Sequence, residues 1–149
     1  MKYEILESMF AGENPQSVFE VGCANGGLLE DLGIKIVGGI DKTTSDIEKA
    51  KILFPKCKDN FFVGDIENIP WPVKDKQYDI VFTVGTLMYV ENYLPVLKEM
   101  LRIGKKVILA EPTEGEVIKD IHGIRYYHEY PGEIKGEIVG KTIFICNKI

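Results

Sequence analysis

The stretch Val18-Phe19-Glu20-Val21-Gly22-Cys23-Ala24-Asn25-Gly26-Gly27-Leu28-Leu29 decides the fold, because an apolar run meets a cluster of small residues and then resumes with helical spacing. Val18, Phe19 and Val21 are β-branched or aromatic, the residue types of a strand buried on both faces. Gly22, Ala24, Gly26 and Gly27 strip the next turn of side-chain bulk, so a ligand can approach its backbone. The helix that follows aims its free N–H groups and the positive end of its dipole into the same space, which favours a polar or anionic group there. The stretch therefore predicts strand, tight turn and helix gathered around a ligand.

Outward from this unit, strands and helices alternate. Residues 34–40 read as a second strand finishing at Asp41, after a short helix over 27–32 that Gly33 ends. Ser45 and Glu48 have capping-box spacing, and Ile47, Ala50 and Phe54 share one face of a helix that Pro55 stops. Residues 61–66 form a third strand closing on Asp65 and Ile66. The following segment is polar, and Trp71, held extended between Pro70 and Pro72, is expected to seal the sheet edge. Residues 78–90 read as a strand running into a turn and a short helix. Asn92 is expected to cap a helix through Arg102 with Leu94, Leu97 and Leu101 inward, leaving Arg102, Lys105 and Lys106 to complement its dipole. Residues 106–110 give a fifth strand. Residues 2–10 place Ile5, Leu6 and Met9 on one face of a short helix expected beside the first strand. The sum is an α/β fold: a doubly wound, mostly parallel sheet with helices on both faces.

The C-terminal part differs. Residues 138–139 and 142–147, around Gly140-Lys141, predict an antiparallel closing pair with Ile143 and Ile145 on one side and Phe144 and Cys146 on the other. The connector 121–132 holds both histidines, His122 and His128, among Arg125, Tyr126, Tyr127 and Tyr130. Loops at the carboxyl ends of parallel strands line ligand crevices, so this one is read as acceptor recognition or, alternatively, as a surface loop of stacked aromatics.

At 149 residues the chain is read as a single domain over 1–149. Its net charge is −5 and its basic residues form no run, which argues against gripping a phosphate backbone. Cys23, Cys57 and Cys146 are odd in number and widely spaced, so neither a zinc site nor a disulfide framework is indicated, and a reducing, cytoplasmic setting is expected. Acids interrupt the N-terminal stretch where a signal peptide needs an apolar core, and no segment reaches the roughly 20 apolar residues of a membrane span.

Two alignments of the opening stretch compete. With Gly22, Ala24 and Gly27 aligned it is a degraded dinucleotide fingerprint. With Glu20, Gly22 and Gly26 aligned it resembles the first motif, acid-x-G-x-x-x-G, of class I S-adenosylmethionine (SAM) methyltransferases. The second accounts for Glu20: a carboxylate suits an ammonium group and repels a pyrophosphate. Asp41 lies about 20 residues on, where ribose hydroxyls need an acceptor in either case. Residues 78–90 further resemble the fourth motif of the small-molecule branch of that family, and the ordered set spans residues 17–112. The resemblance implies cofactor contacts from Glu20, Gly22, Cys23 and Gly26, adenine contacts from Asp65 and Ile66, and a cofactor border at Thr83 and Val84. It places Tyr89 where relatives face the acceptor, although a core role for Tyr89 fits the same spacing.

The resemblance implies methyl transfer from SAM to an O, N or C nucleophile of a small-molecule acceptor, with no metal. His128, His122 and Tyr89 are the candidate bases, needed only if the acceptor arrives protonated. Two alternatives stand beside this reading: a SAM-binding module or partner subunit without its own catalysis, and a NAD-dependent oxidoreductase. The second lacks a Tyr-x-x-x-Lys pair. A protein partner or homo-oligomer is compatible with each.

Overall fold

The computed structural model describes residues 3–138 and 140–148. The start of the predicted N-terminal helix, Lys2, and Val139 of the predicted closing pair lie outside the described residues. In chain order the elements are α1 (Glu4–Phe10), β1 (Ser17–Val21), α2 (Gly27–Leu32), β2 (Ile36–Asp41), α3 (Thr44–Leu53), β3 (Phe61–Val63), β4 (Tyr78–Val84), α4 (Leu94–Ile103), β5 (Gly104–Glu111), β6 (Ile118–Asp120), β7 (Gly123–Arg125), β8 (Glu133–Ile138) and β9 (Lys141–Cys146). Short 3-10 turns cover Pro55–Asn60 and Leu87–Tyr89.

Seven strands form one sheet in the order β3-β2-β1-β4-β5-β9-β8. The first five run parallel, and β9 and β8 add antiparallel at the far edge. The alternation along β1 explains why both faces must be covered. Val18 points into a layer with Leu6, Met9, Leu29, Ile47 and Ala50, whereas Phe19 and Val21 point into the opposite layer with Trp71, Leu97, Met100 and Tyr130. Burying a large aliphatic or aromatic side chain contributes about 1.5–3 kcal/mol, so these two layers dominate the folding energy.

Several local expectations change in the folded chain. The helix α1 packs over β5 and β8, not beside β1: Phe10 meets Phe82 edge-on at 5.2 Å, and Lys135 Nζ donates to the carbonyls of Met9 and Ala11. Neither predicted side-chain cap forms. Thr43 and Tyr93 hold the N-cap positions of α3 and α4 without capping bonds, so Ser45 and Asn92 are not caps. In α4 the inward face is Val96, Leu97, Met100 and Ile103, while Leu94 is exposed.

Trp71 does not seal an edge. It is buried at mid-sheet, stacked on Phe19, and its Nε1 donates to Ile66 O at 3.0 Å. The segment carrying it is stapled by Arg102, which does more than complement a dipole. The guanidinium donates to Glu99, Asp75 and the carbonyls of Trp71 and Val73. Glu99 also accepts from Trp71 N at 2.6 Å. Burial pushes the Glu99 carboxyl up, but Arg102 and this N–H outweigh it and hold it below its ordinary value.

Candidate functional site

A cleft of about 500 Å³ opens at the carboxyl ends of the parallel strands, within the size range of small-molecule sites. It lies where the strand order reverses. β1 and β4 are neighbours there, but the chain leaves them toward opposite sides, so their trailing loops part and leave a crevice. Gly22 and Asp41 form one side of it, Asp65 and Ile66 the end beyond β3, and Val84, Gly85 and Thr86 the facing side. Tyr89, Val90 and His122 complete the rim.

The turn after β1 is closed by backbone bonds. Gly22 N and Cys23 N both donate to Ile40 O, and Gly26 N donates to Cys23 O. Gly22 has φ +76, and a Cβ there would stand 2.4 Å from Thr86 Oγ1, so only glycine lets the two walls come this close. Gly26 has φ +86 and abuts the Phe54 ring, which seats the turn on α3. Ala24 also adopts positive φ, and its N–H donates to Asp41 Oδ2 at 3.0 Å. Asp41 Oδ1 accepts from Thr43 N at 2.9 Å. The Asp41 carboxylate is thus oriented by two backbone donors and retains lone pairs for a ligand.

The structure separates the predicted residues into those lining the cleft and those behind it. Gly22, Asp41, Asp65, Ile66, Val84, Tyr89 and His122 line it. Glu20 is 2% exposed and sits beneath the turn, with Oε1 lacking a partner among the described residues. Burial, then the charge of Asp41, pushes its carboxyl well above the ordinary 4.5. Cys23 is buried beside it, and burial followed by Glu20 and Asp41 pushes its thiol up, so it is an inert thiol. Thr83 is buried and donates to Glu111 Oε1 at 2.9 Å. His128 stands outside the cleft, its Nε2 2.8 Å from Val90 O and its ring packed among Tyr93, Tyr126 and Tyr130.

The connector is a two-stranded ribbon, β6 paired antiparallel with β7, and it brings residues to the cleft that sequence reading missed. Asp120 Oδ2 accepts from Tyr89 Oη at 2.9 Å and pairs with Arg125 Nε at 2.9 Å, while Oδ1 accepts from His122 N at 2.7 Å. The His122 N–H bond is the largest influence holding the Asp120 carboxyl below its ordinary range. Tyr89 moves the other way, raised first by burial. No spacing in the sequence announces Asp120. Glu111 had a signal: like Asp41, it is an acid that closes a parallel strand.

A parallel sheet in this order, with a glycine turn and strand-closing acids around the switch point, defines a Rossmann-like fold of the kind that binds nucleoside cofactors. Residues 19–107 match the methyltransferase-domain family, and the chain belongs to that family. Norajmaline N-methyltransferase of Rauvolfia serpentina is 28% identical over 100 residues, covering 61% of this chain and 33% of the relative. Among solved structures, the O-methyltransferase of a trans-AT PKS multienzyme of Brevibacillus brevis, in complex with S-adenosyl-L-homocysteine, superposes with a TM-score of 0.62 at 18% identity over 80% of this chain and 45% of that one. The [4+2]-cyclase SpnF gives a TM-score of 0.62 at 14% identity over 83% and 51%. The chain thus spans between a third and about half of the length of these relatives. Among the described residues, no helix is long and apolar enough to cross a membrane.

Proposed function

We propose that the cleft binds SAM and serves methyl transfer to an O, N or C nucleophile of a small-molecule acceptor. The observation that carries this is the convergence on one crevice of Asp41, which closes β2, of Asp65, two residues past the end of β3, and of the glycine turn at Gly22. In this reading Asp41 accepts from ribose hydroxyls, Asp65 from the adenine amino group, and Ile66 packs on the ring. Glu20 fits as a buried, partly uncompensated carboxylate that a cationic amino group nearby would relieve. When bound, the cofactor supplies an already activated methyl group, so the chain's contribution is to bind, to align and to exclude water. Alignment of this kind can be worth roughly 7–11 kcal/mol of barrier.

On the acceptor side, Tyr89 is a neutral phenol whose hydrogen goes to Asp120, leaving its lone pairs to accept from an incoming hydroxyl or amine. Asp120, held ionised, is a weak base and acts as the anchor of Tyr89, His122 and Arg125. His122, at the rim, is the group left to accept a proton, while His128 has its nitrogen at Val90 O. The free thiols Cys23, Cys57 and Cys146 fit a reducing, cytoplasmic setting.

A second reading, cofactor binding without methyl transfer, is favoured by one observation: SpnF, a cyclase by name, shares the fold. Calorimetry with SAM, S-adenosylhomocysteine and NAD tests the first claim. Expected is a dissociation constant of about micromolar order for the first two and no heat with NAD; the opposite preference would overturn the reading. Binding without methyl release across a panel of amine, hydroxyl and thiol acceptors would move the conclusion to the second reading.

A further inference from the structure

Glu111 closes β5 with no solvent exposure, and among the described residues no cation hydrogen-bonds to it. Three donors converge on its Oε1 instead: Thr83 Oγ1 at 2.9 Å, Thr86 N at 2.9 Å and Leu87 N at 2.7 Å. All three belong to β4 and the turn that follows it. Oε2 is buried without a hydrogen-bond partner among the described residues, and so is the hydroxyl of Tyr130. Burying an acid merely to end a strand is costly. An acid that gathers two backbone N–H groups and a hydroxyl at one oxygen is a strong polar anchor for the turn.

That turn is a wall of the cleft. Gly85 and Thr86 line it, and Thr86 Oγ1 occupies the position that a side chain at Gly22 would claim. The distance between the two walls is therefore set on one side by the glycine turn and on the other by whatever holds Thr86. We infer that Glu111 is a positioning residue of the ligand cleft: through Thr86 N–H and Leu87 N–H it fixes the wall opposite Gly22, and so sets ligand affinity without touching the ligand. The inference rests on the reading of the cleft as a SAM site.

The charge state of Glu111 provides a readout that a purely structural role would not move. Burial pushes its carboxyl up to about 7 against the opposing pull of the Leu87, Thr86 and Thr83 bonds. The groups facing it are Thr83 from β4, the turn N–H groups, Thr142 as its register partner on β9, and Tyr130 from the segment after β7. Lys141 runs along Gly85 on the turn itself. Of these, Tyr130 titrates far above neutrality, raised first by burial and then by Glu111. As pH rises through neutrality Glu111 ionises, its three bonds become charge-assisted, and the wall tightens.

The test is calorimetric titration of S-adenosylhomocysteine into the wild type, Glu111→Gln and Glu111→Leu at about pH 6 and about pH 8, with thermal melts alongside. Expected for the wild type is an affinity gain of about threefold to tenfold between the two conditions. Glu111→Gln keeps a carbonyl oxygen for the three donors, so it retains affinity within about threefold at the lower pH, with a clearly smaller pH slope. Folded Glu111→Leu, with its donors orphaned, loses about tenfold or more at both. Equal slopes in wild type and Glu111→Gln, or wild-type affinity in a folded Glu111→Leu, would overturn the inference. If Glu111→Leu does not fold, the slope comparison decides alone. A wild type that binds no S-adenosylhomocysteine would instead overturn the assignment of the cleft.

Discussion

Residues 17–66 and residues 112–132 face the same cleft, but different forces hold them there. The first region is a set of strand ends in continuous parallel register, and its polar groups are aimed by the backbone: Asp41 takes N–H bonds from Ala24 and Thr43, and the glycine turn is tied to Ile40 O. The second is a ribbon outside the main sheet, joined to the cleft through Tyr89, Asp120 and Arg125 and through Tyr126 N donating to Met88 O. Val117, Ile118, Ile121 and Ile124 stay exposed on it. The contrast teaches that the end of the cleft read as holding the cofactor is rigid by construction, whereas the acceptor end hangs on a few polar contacts. Affinity for the one and choice of the other can therefore change separately.

The largest effect is expected at the rigid end. Gly22→Val places a branched side chain 2.4 Å from Thr86 Oγ1 at a φ of +76, so the wall opposite shifts as well. S-Adenosylhomocysteine affinity should fall by on the order of a hundredfold, with some loss of melting temperature. Retained affinity in calorimetry would show that the ligand sits elsewhere and would dissolve the contrast.

Next comes Glu20. Because its folded carboxyl titrates well above the ordinary 4.5, the native state keeps a proton that the unfolded chain has already lost. Stability of the unliganded protein therefore declines as pH climbs from about 4.5 through the folded value. Glu20→Gln should remove that part of the decline and raise stability at about pH 8 by about 1–3 kcal/mol in denaturant titrations, while weakening cofactor binding. A variant with wild-type pH dependence would mean that Glu20 is compensated by something in the folded chain.

The smallest change in cofactor affinity is expected at the flexible end. Tyr89→Phe removes the hydroxyl that reaches Asp120. Cofactor binding should stay within about twofold, amide exchange across residues 118–125 should accelerate, and turnover, once an acceptor is found, should drop about tenfold. A large drop in cofactor affinity would show the two ends to be coupled after all.

The same division marks what could be read in advance. The alternation of strands and helices, the glycine turn and the acid that ends β2 at Asp41 were legible because each depends on neighbours a few residues away: side-chain period, turn chemistry, a strand's last residue. Asp65, expected inside a strand over 61–66, lies two residues past β3, which ends at Val63. Trp71 and Arg102 were misjudged because their partners, Phe19, Glu99 and Asp75, are assembled by the sheet and α4. His128 looked as eligible as His122, and only packing sends one to Val90 O and the other to the rim.

By itself the sequence determined a parallel α/β fold, since alternating hydrophobic periods and a bulk-free turn after the first strand leave few other ways to bury both faces of a sheet, while its ordered motifs carried the resemblance to the methyltransferase family. Only the tertiary structure decided that Glu20 lies behind the cleft, that Glu111 carries its far wall, and that Asp120 gathers Tyr89, His122 and Arg125. The physical reason is separation along the chain. Glu111 lies about 25 residues from the turn it holds and Asp120 lies 31 from Tyr89, contacts that no local pattern encodes and that form only once the strands have set their register.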